Sequence, residues 1–214
     1  CIVLVVSLAF PLALMRGAPP SDRPAEEALA AAENPSLGPP ISPRKGLGPA
    51  PVRLGYVDNP AEGKRSIAGS GHAVKYRRPT DEKHLVAIEM FASRYGSPAP
   101  PAEDFHVYVL DGRQKVIHAQ PFPYSQIEWG FPRWYTLTLP AVEVPKAYYI
   151  ALTFNPHQTK GIYLGWDESA KRSHSYVGRP TTGLEPVDEK IEWMVRSVLA
   201  REIPKRNPFQ SQDK

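Results

Sequence analysis

The chain has 214 residues, with 26 Lys+Arg against 22 Asp+Glu and a formal charge of +4. The basic residues are scattered except at 201–206, so the charged stripe of a nucleic-acid binder is missing. A single cysteine, Cys1, leaves no intrachain disulfide and no cysteine-built zinc site.

The run CIVLVVSLAFPLALM (residues 1–15) is interrupted only by Ser7 and Pro11. A spanning helix needs about 20 apolar residues and a signal-peptide core about 7–15. The run therefore reads as a truncated transmembrane anchor or a signal-peptide core, with a buried core segment as a third reading. The first two put the remainder outside the cytoplasm, whether periplasmic, cell-surface or secreted, and membrane-tethered through this segment. Proline is enriched, at 25 residues, and much of it falls in residues 16–53. Few large apolar side chains occur there, so the stretch cannot bury enough surface to offset its ordering entropy. It reads as a Pro/Ala-rich tether, in which PAEEALAAAEN forms at most a transient helix.

From residue 54 the texture changes to short alternating apolar runs broken by Gly, Pro and Asp, the pattern of an all-β domain over 54–203. HAVKYRRP places His72, Val74 and Tyr76 on one face and Lys75 and Arg77 on the other. HLVAIEMFAS is apolar on both faces apart from Glu89, which suits a covered central strand. DFHVYVLD turns Phe105, Val107 and Val109 to one side, and Asp111-Gly112 signals a hairpin into RQKVIHAQ. RWYTLTLP, KAYYIALTFNP and GIYLGWD continue the pattern, and SHSYVG reads as a short edge strand. Prolines 121, 123, 132, 140, 145 and 156 are expected between strands, where a missing N–H costs least. The last run, VDEKIEWMVRSVLARE, is ambiguous: Val187, Ile191, Met194, Val195 and Val198 have helical spacing, yet Ile191, Trp193 and Val195 alternate. Residues 204–214 read as a disordered tail. About eight antiparallel strands without strong helices between them define a two-sheet β-sandwich.

GSGHAVKY, SRYGSPAPP, FNPHQTKGIYLGWDES, SYVG and EWMVR together resemble a jelly-roll accessory module of multidomain bacterial extracytoplasmic proteins, similar in outline to galactose-binding-like and adhesin-type sandwiches. The matching pieces are Leu164-Gly165-Trp166-Asp167, Ser175-Tyr176-Val177-Gly178 and Trp193-Met194-Val195-Arg196, within about residues 62–200. The resemblance implies that the closing run is a strand. It supplies no catalytic residues.

Nothing in the pattern indicates an enzyme. Gly69-Ser70-Gly71 lacks the spacers of a nucleophile elbow. None of the six histidines stands in a local ligand spacing. His72 reads as a half-buried structural histidine, and His106 and His118 could face each other across a hairpin, most simply on its solvent side. Asp167, Glu168 and Asp104 are calcium candidates by ligand chemistry, although Asp167 reads first as a turn cap. His157 reads as a polar loop residue. No cofactor is expected.

The aromatics carry the functional hint. Trp129, Trp134, Trp166 and Tyr124 lie near turns, and Tyr95 stands beside Arg94. Parity puts Trp166 and Trp193 in the core. Trp129, Tyr95, Arg94 and Tyr124 are the candidate ligand-binding residues, because sugar-binding sandwiches combine exposed rings with a few orienting polar groups. A glycan or another extracytoplasmic protein is the expected partner; a protein-interaction or sensory ectodomain of a membrane-anchored regulator and a purely structural accessory domain are the alternative readings.

Overall fold

The computed structural model describes residues 50–203 apart from 58–59, 68, 80, 155–159, 169–172 and 189. The apolar segment at 1–15, the tether up to residue 49, His157 and the tail at 204–214 lie outside the described residues.

Two antiparallel sheets pack face to face. The first is built on β4 (His84–Tyr95). Its order is β1 (Val52–Leu54), β13 (Val195–Ala200), β4, β9 (Gly161–Asp167) and β12 (Glu192–Trp193), with β2 (Gly63–Arg65) on β9 and β7 (Arg133–Glu143) on β4. The second runs β11 (Gly183–Pro186), β10 (Ser175–Arg179), β3 (Gly71–Arg77), β8 (Ala147–Thr153), β5 (Asp104–Asp111) and β6 (Val116–Pro123). A 3-10 turn, Tyr124–Gln126, links β6 to the chain entering β7.

Alternation decides which residues fill the space between the sheets. Ile88, Met90 and Ala92 of β4, Leu137 of β7 and Ile162 and Leu164 of β9 meet Val74, Tyr76, Phe105, Val107, Tyr148 and Ile150 of the second sheet. Each such side chain contributes about 1.5–3 kcal/mol by leaving water. β4 is buried along almost its whole length, Glu89 included, as its two-faced apolar sequence requires.

Three details differ from expectation. The described residues form thirteen strands; β1, β2, β11 and β12 have two to four residues each, too few to show an alternation. SYVG is not an edge: β10 lies between β3 and β11, because the chain reverses between them, with Gly178 at φ 129° and Gly183 at φ 97°. Pro121, Pro123 and Pro140 lie inside β6 and β7 rather than between strands. Each of those strands pairs on one side alone, so the missing N–H falls on an open edge. The closing run is strand, as the resemblance implied.

Candidate functional site

The strand registers bring one set of loops together. Tyr95, the last residue of β4, pairs with Gly161 at the start of β9. Asp104 at the start of β5 pairs with Pro123 at the end of β6, and His106 pairs with Thr153 at the end of β8. Arg133 opens β7 opposite Ala92. The loops at 96–103 and 124–132 therefore share one end of the sandwich, the usual place for recognition residues on a rigid scaffold.

Arg94 holds those loops. Its side chain is buried, and its Nε donates to the Ile127 carbonyl (2.6 Å), Nη1 to Ser97 (3.2 Å) and Nη2 to Pro98 (2.8 Å). Its backbone N–H donates to Glu128 O at 2.9 Å, and a parallel bridge joins it to Trp129. The Trp129 indole N–H donates to Gly96 O at 3.0 Å, which fixes the ring while leaving the residue 53% exposed. Tyr135 OH accepts from Glu128 N (2.9 Å) and Arg133 Nε (3.1 Å), and Arg133 forms an ion pair with Glu128. Gly130, at φ 116°, turns the chain at the tip, and the next residue, Phe131, is 94% exposed. Phe131 carries a sequence signal that the reading above does not use: an aromatic between Gly130 and Pro132 has no alternating neighbours to bury it.

Of the four predicted ligand residues, Trp129 presents an open ring. Tyr95 is half-buried, its ring 4.3 Å from that of Tyr163 and its hydroxyl 3.2 Å from Ser66 Oγ. Arg94 faces carbonyls of its own chain. Tyr124 is fully buried, edge-on to Phe105 at 5.6 Å. Trp193 is core, as parity predicted. Trp166 is partly buried against that core, its ring covering Gly63. Trp134 lies under the Arg196 guanidinium, 3.8 Å from the ring centroid.

The calcium candidates are not brought together. Asp104 starts a strand of the second sheet, whereas Asp167 ends β9 in the first. Asp167 is fully buried opposite Glu192. Glu168 is exposed, and its backbone N–H donates to the Glu62 carboxylate. Among the described residues, no three His, Cys, Asp or Glu side chains converge on a metal position.

The histidines also resolve. His118 pairs with Val109 while His106 pairs with Pro121, so strand parity sends the two rings to opposite faces of the hairpin. His72 is fully buried rather than half-buried, packed at 4.6 Å edge-on to Trp193. Among the described residues neither ring nitrogen makes a hydrogen bond of good geometry, the Arg65 backbone being only a distorted partner. Burial lowers its pKa from 6.5 to about 3; the nearby Arg65 backbone opposes that shift only in part. His174, Ser175 and Glu192 meet near β12. Ser175 Oγ donates to Glu192 Oε2 at 2.9 Å and accepts from Trp193 N at 2.7 Å. His174 Nδ1 sits 2.9 Å from Glu192 Oε1. The acid thus holds both partners, whereas a nucleophile needs its hydroxyl on the base. Ser175 and Glu192 are buried, and the cluster fastens β12 to β10.

No protein-family model matches the chain, and no curated protein matches its sequence. Fold and site define the class by themselves: a two-sheet β-sandwich with an aromatic-tipped loop end.

Proposed function

We propose that this domain is a non-catalytic binding module, held outside the cytoplasm on its proline-rich tether, that takes a carbohydrate at the loop end with Trp129 as the stacking platform. One observation carries the reading. The Trp129 ring is exposed yet fixed, through its indole bond to Gly96 O and the Arg94 clamp beneath it. A preorganised ring loses little freedom when a sugar face packs on it. The same loop supplies polar groups: Gln126 borders a cleft of about 450 Å³ that is also lined by Gln120, Thr136 and Thr138. That cleft is lined by Phe122, Tyr135 and Leu137 as well, and amides and hydroxyls beside apolar surface suit a polyhydroxylated ligand. The arrangement around Ser175 supports the non-catalytic part, since the hydroxyl is engaged by Glu192.

The test is intrinsic tryptophan fluorescence titrated with soluble cello-, xylo- and galacto-oligosaccharides. A saturable change that disappears in Trp129→Ala, with an unchanged circular-dichroism spectrum, is the expected result. A silent panel overturns the carbohydrate assignment. Phe131 favours a second reading, because an all-carbon ring exposed to 94% fits a protein partner's apolar pocket. That reading predicts crosslinking to an extracytoplasmic protein that Phe131→Ser abolishes while glycan titrations stay silent.

A further inference from the structure

A second cleft, of about 300 Å³, opens on the outer face of the second sheet, and Trp129 is not among its lining residues. One wall is the pair His106 and Tyr108, successive outward residues of β5 whose rings lie nearly parallel, 25° apart with centroids at 5.9 Å. The facing wall is the turn carrying Arg179, Pro180 and Thr181. Two glycines let that turn fold down onto the sheet: a Cβ on Gly71 would lie 2.6 Å from Gly178 O, and one on Gly178 would lie 2.2 Å from Gly183 O. Thr153 lies between the walls, and Asp104 closes the end beside Glu103.

The charges select the ligand. Glu103 is matched by Lys160 at 3.6 Å. Asp104 and Arg179 remain, and among the described residues their side chains form no hydrogen bond or ion pair. Their opposite charges nearly cancel, so an anion gains from Arg179 what it loses to Asp104. A neutral ring bearing adjacent hydroxyls instead satisfies both: the carboxylate accepts, the guanidinium donates, and the aromatic wall takes the C–H face. The volume is that of a small ligand site.

From this geometry we infer that the cleft between His106–Tyr108 and Arg179 is a second site, which binds a single neutral sugar ring through Asp104 and Arg179. It is independent of Trp129, so the two readings can fail separately.

The experiment is saturation-transfer NMR on the full chain with D-galactose, D-glucose, D-mannose and L-fucose, followed by affinity measurement for each sugar that responds. At least one sugar is expected to bind. Asp104→Asn, which preserves shape, and Arg179→Gln, which removes the guanidinium at a half-buried position, should each weaken it about tenfold or more. Trp129→Ala should leave it unchanged. Silence from all four sugars, unchanged affinity in either cleft variant, or loss of binding in Trp129→Ala would overturn the inference. A Trp129→Ala variant that loses no oligosaccharide binding, beside an Asp104→Asn variant that does lose monosaccharide binding, removes the first reading and leaves this one standing.

Discussion

Arg94 meets three carbonyls from two loops, and only a planar fork of donors reaches all of them at once. A lysine's compact ammonium cannot span all three, and the costly loss is the buried Ile127 carbonyl, since Ser97 and Pro98 are exposed. Arg94→Lys and Arg94→Met are therefore expected to cost about 2–3 kcal/mol, read as a drop in urea midpoint. Both should also raise acrylamide quenching of Trp129, because the loop beneath it loosens. An unchanged midpoint would show that water satisfies those carbonyls. Arg94 and Tyr95 look like a ligand pair in sequence because a cation stands next to a ring before a glycine. They are in fact the last two residues of β4 and point to opposite faces, and sequence alone does not say where that strand ends. Gln114 makes the same point. It holds φ 65° without being glycine. The reason lies 70 positions away, where its amide donates to Leu184 O (3.0 Å) and accepts from Leu184 N (2.8 Å). Gln114→Ala should lose about 1–2 kcal/mol from both bonds. Gln114→Gly should lose less, since it relaxes the backbone while losing the same bonds.

At the scale of elements, the closing strand explains why its sequence resembled a helix. Ile191, Trp193, Val195 and Leu199 face the main core, whereas Val198 and Ala200 pack with Val86 and Ala87 in a separate cluster. The register shifts between Val198 and Leu199 because β4 carries the extra residue, Val86, so the closing strand keeps its odd-numbered residues on the main core throughout. A run buried on both faces has apolar residues at 191, 194, 195 and 198, which a 3.6-residue period also fits. Period-2 counting fails where both faces are covered; the longer alternating runs, β3 and β5, were legible because their outer faces carry Lys75 and Arg77, and Asp104 and His106, between the core residues. Gly165 leaves room for its neighbours between β9 and β4. A Cβ there would lie 2.7 Å from Phe91 Cδ1, 3.0 Å from Met194 Sδ and 3.3 Å from the Phe91 carbonyl oxygen. The backbone cannot retreat, because Met194 is fastened to both strands through Phe91 N and Gly165 O (each 2.9 Å). Gly165→Ala should thus cost about 1–3 kcal/mol. Gly161→Ala should cost less, because its close neighbour is the half-exposed Tyr95 ring, which can swing outward. Equal unfolding midpoints for the two variants would contradict this ordering.

At the scale of the whole molecule, His72 joins the two sheets. It belongs to β3 in the second sheet and packs on Trp193 of the first, with Phe154 5.6 Å away on its other side. Charging it places an unsolvated imidazolium in the seam, so the penalty falls on the packing of the sheets against each other. Its folded pKa, about 3, lies below the unfolded value of 6.5, mainly because burial disfavours the charged ring. The sign follows from proton counts: below 6.5 the unfolded chain takes up the proton and the folded chain does not. The favourable contribution of neutral His72 is complete above pH 6.5 and declines steadily as pH falls toward 3, by several kcal/mol in all. His72→Leu removes the titration and two buried ring nitrogens that make no hydrogen bond of good geometry, so its stability at neutral pH should match or exceed that of the parent. The measurement is a series of urea unfolding curves for both proteins between pH 6.5 and 3. Carboxylates common to both contribute a shared slope, so the difference between the curves isolates the histidine. That difference should grow in favour of His72→Leu as pH falls. Parallel curves would mean that water reaches the ring and that the two sheets part there before the rest of the sandwich unfolds.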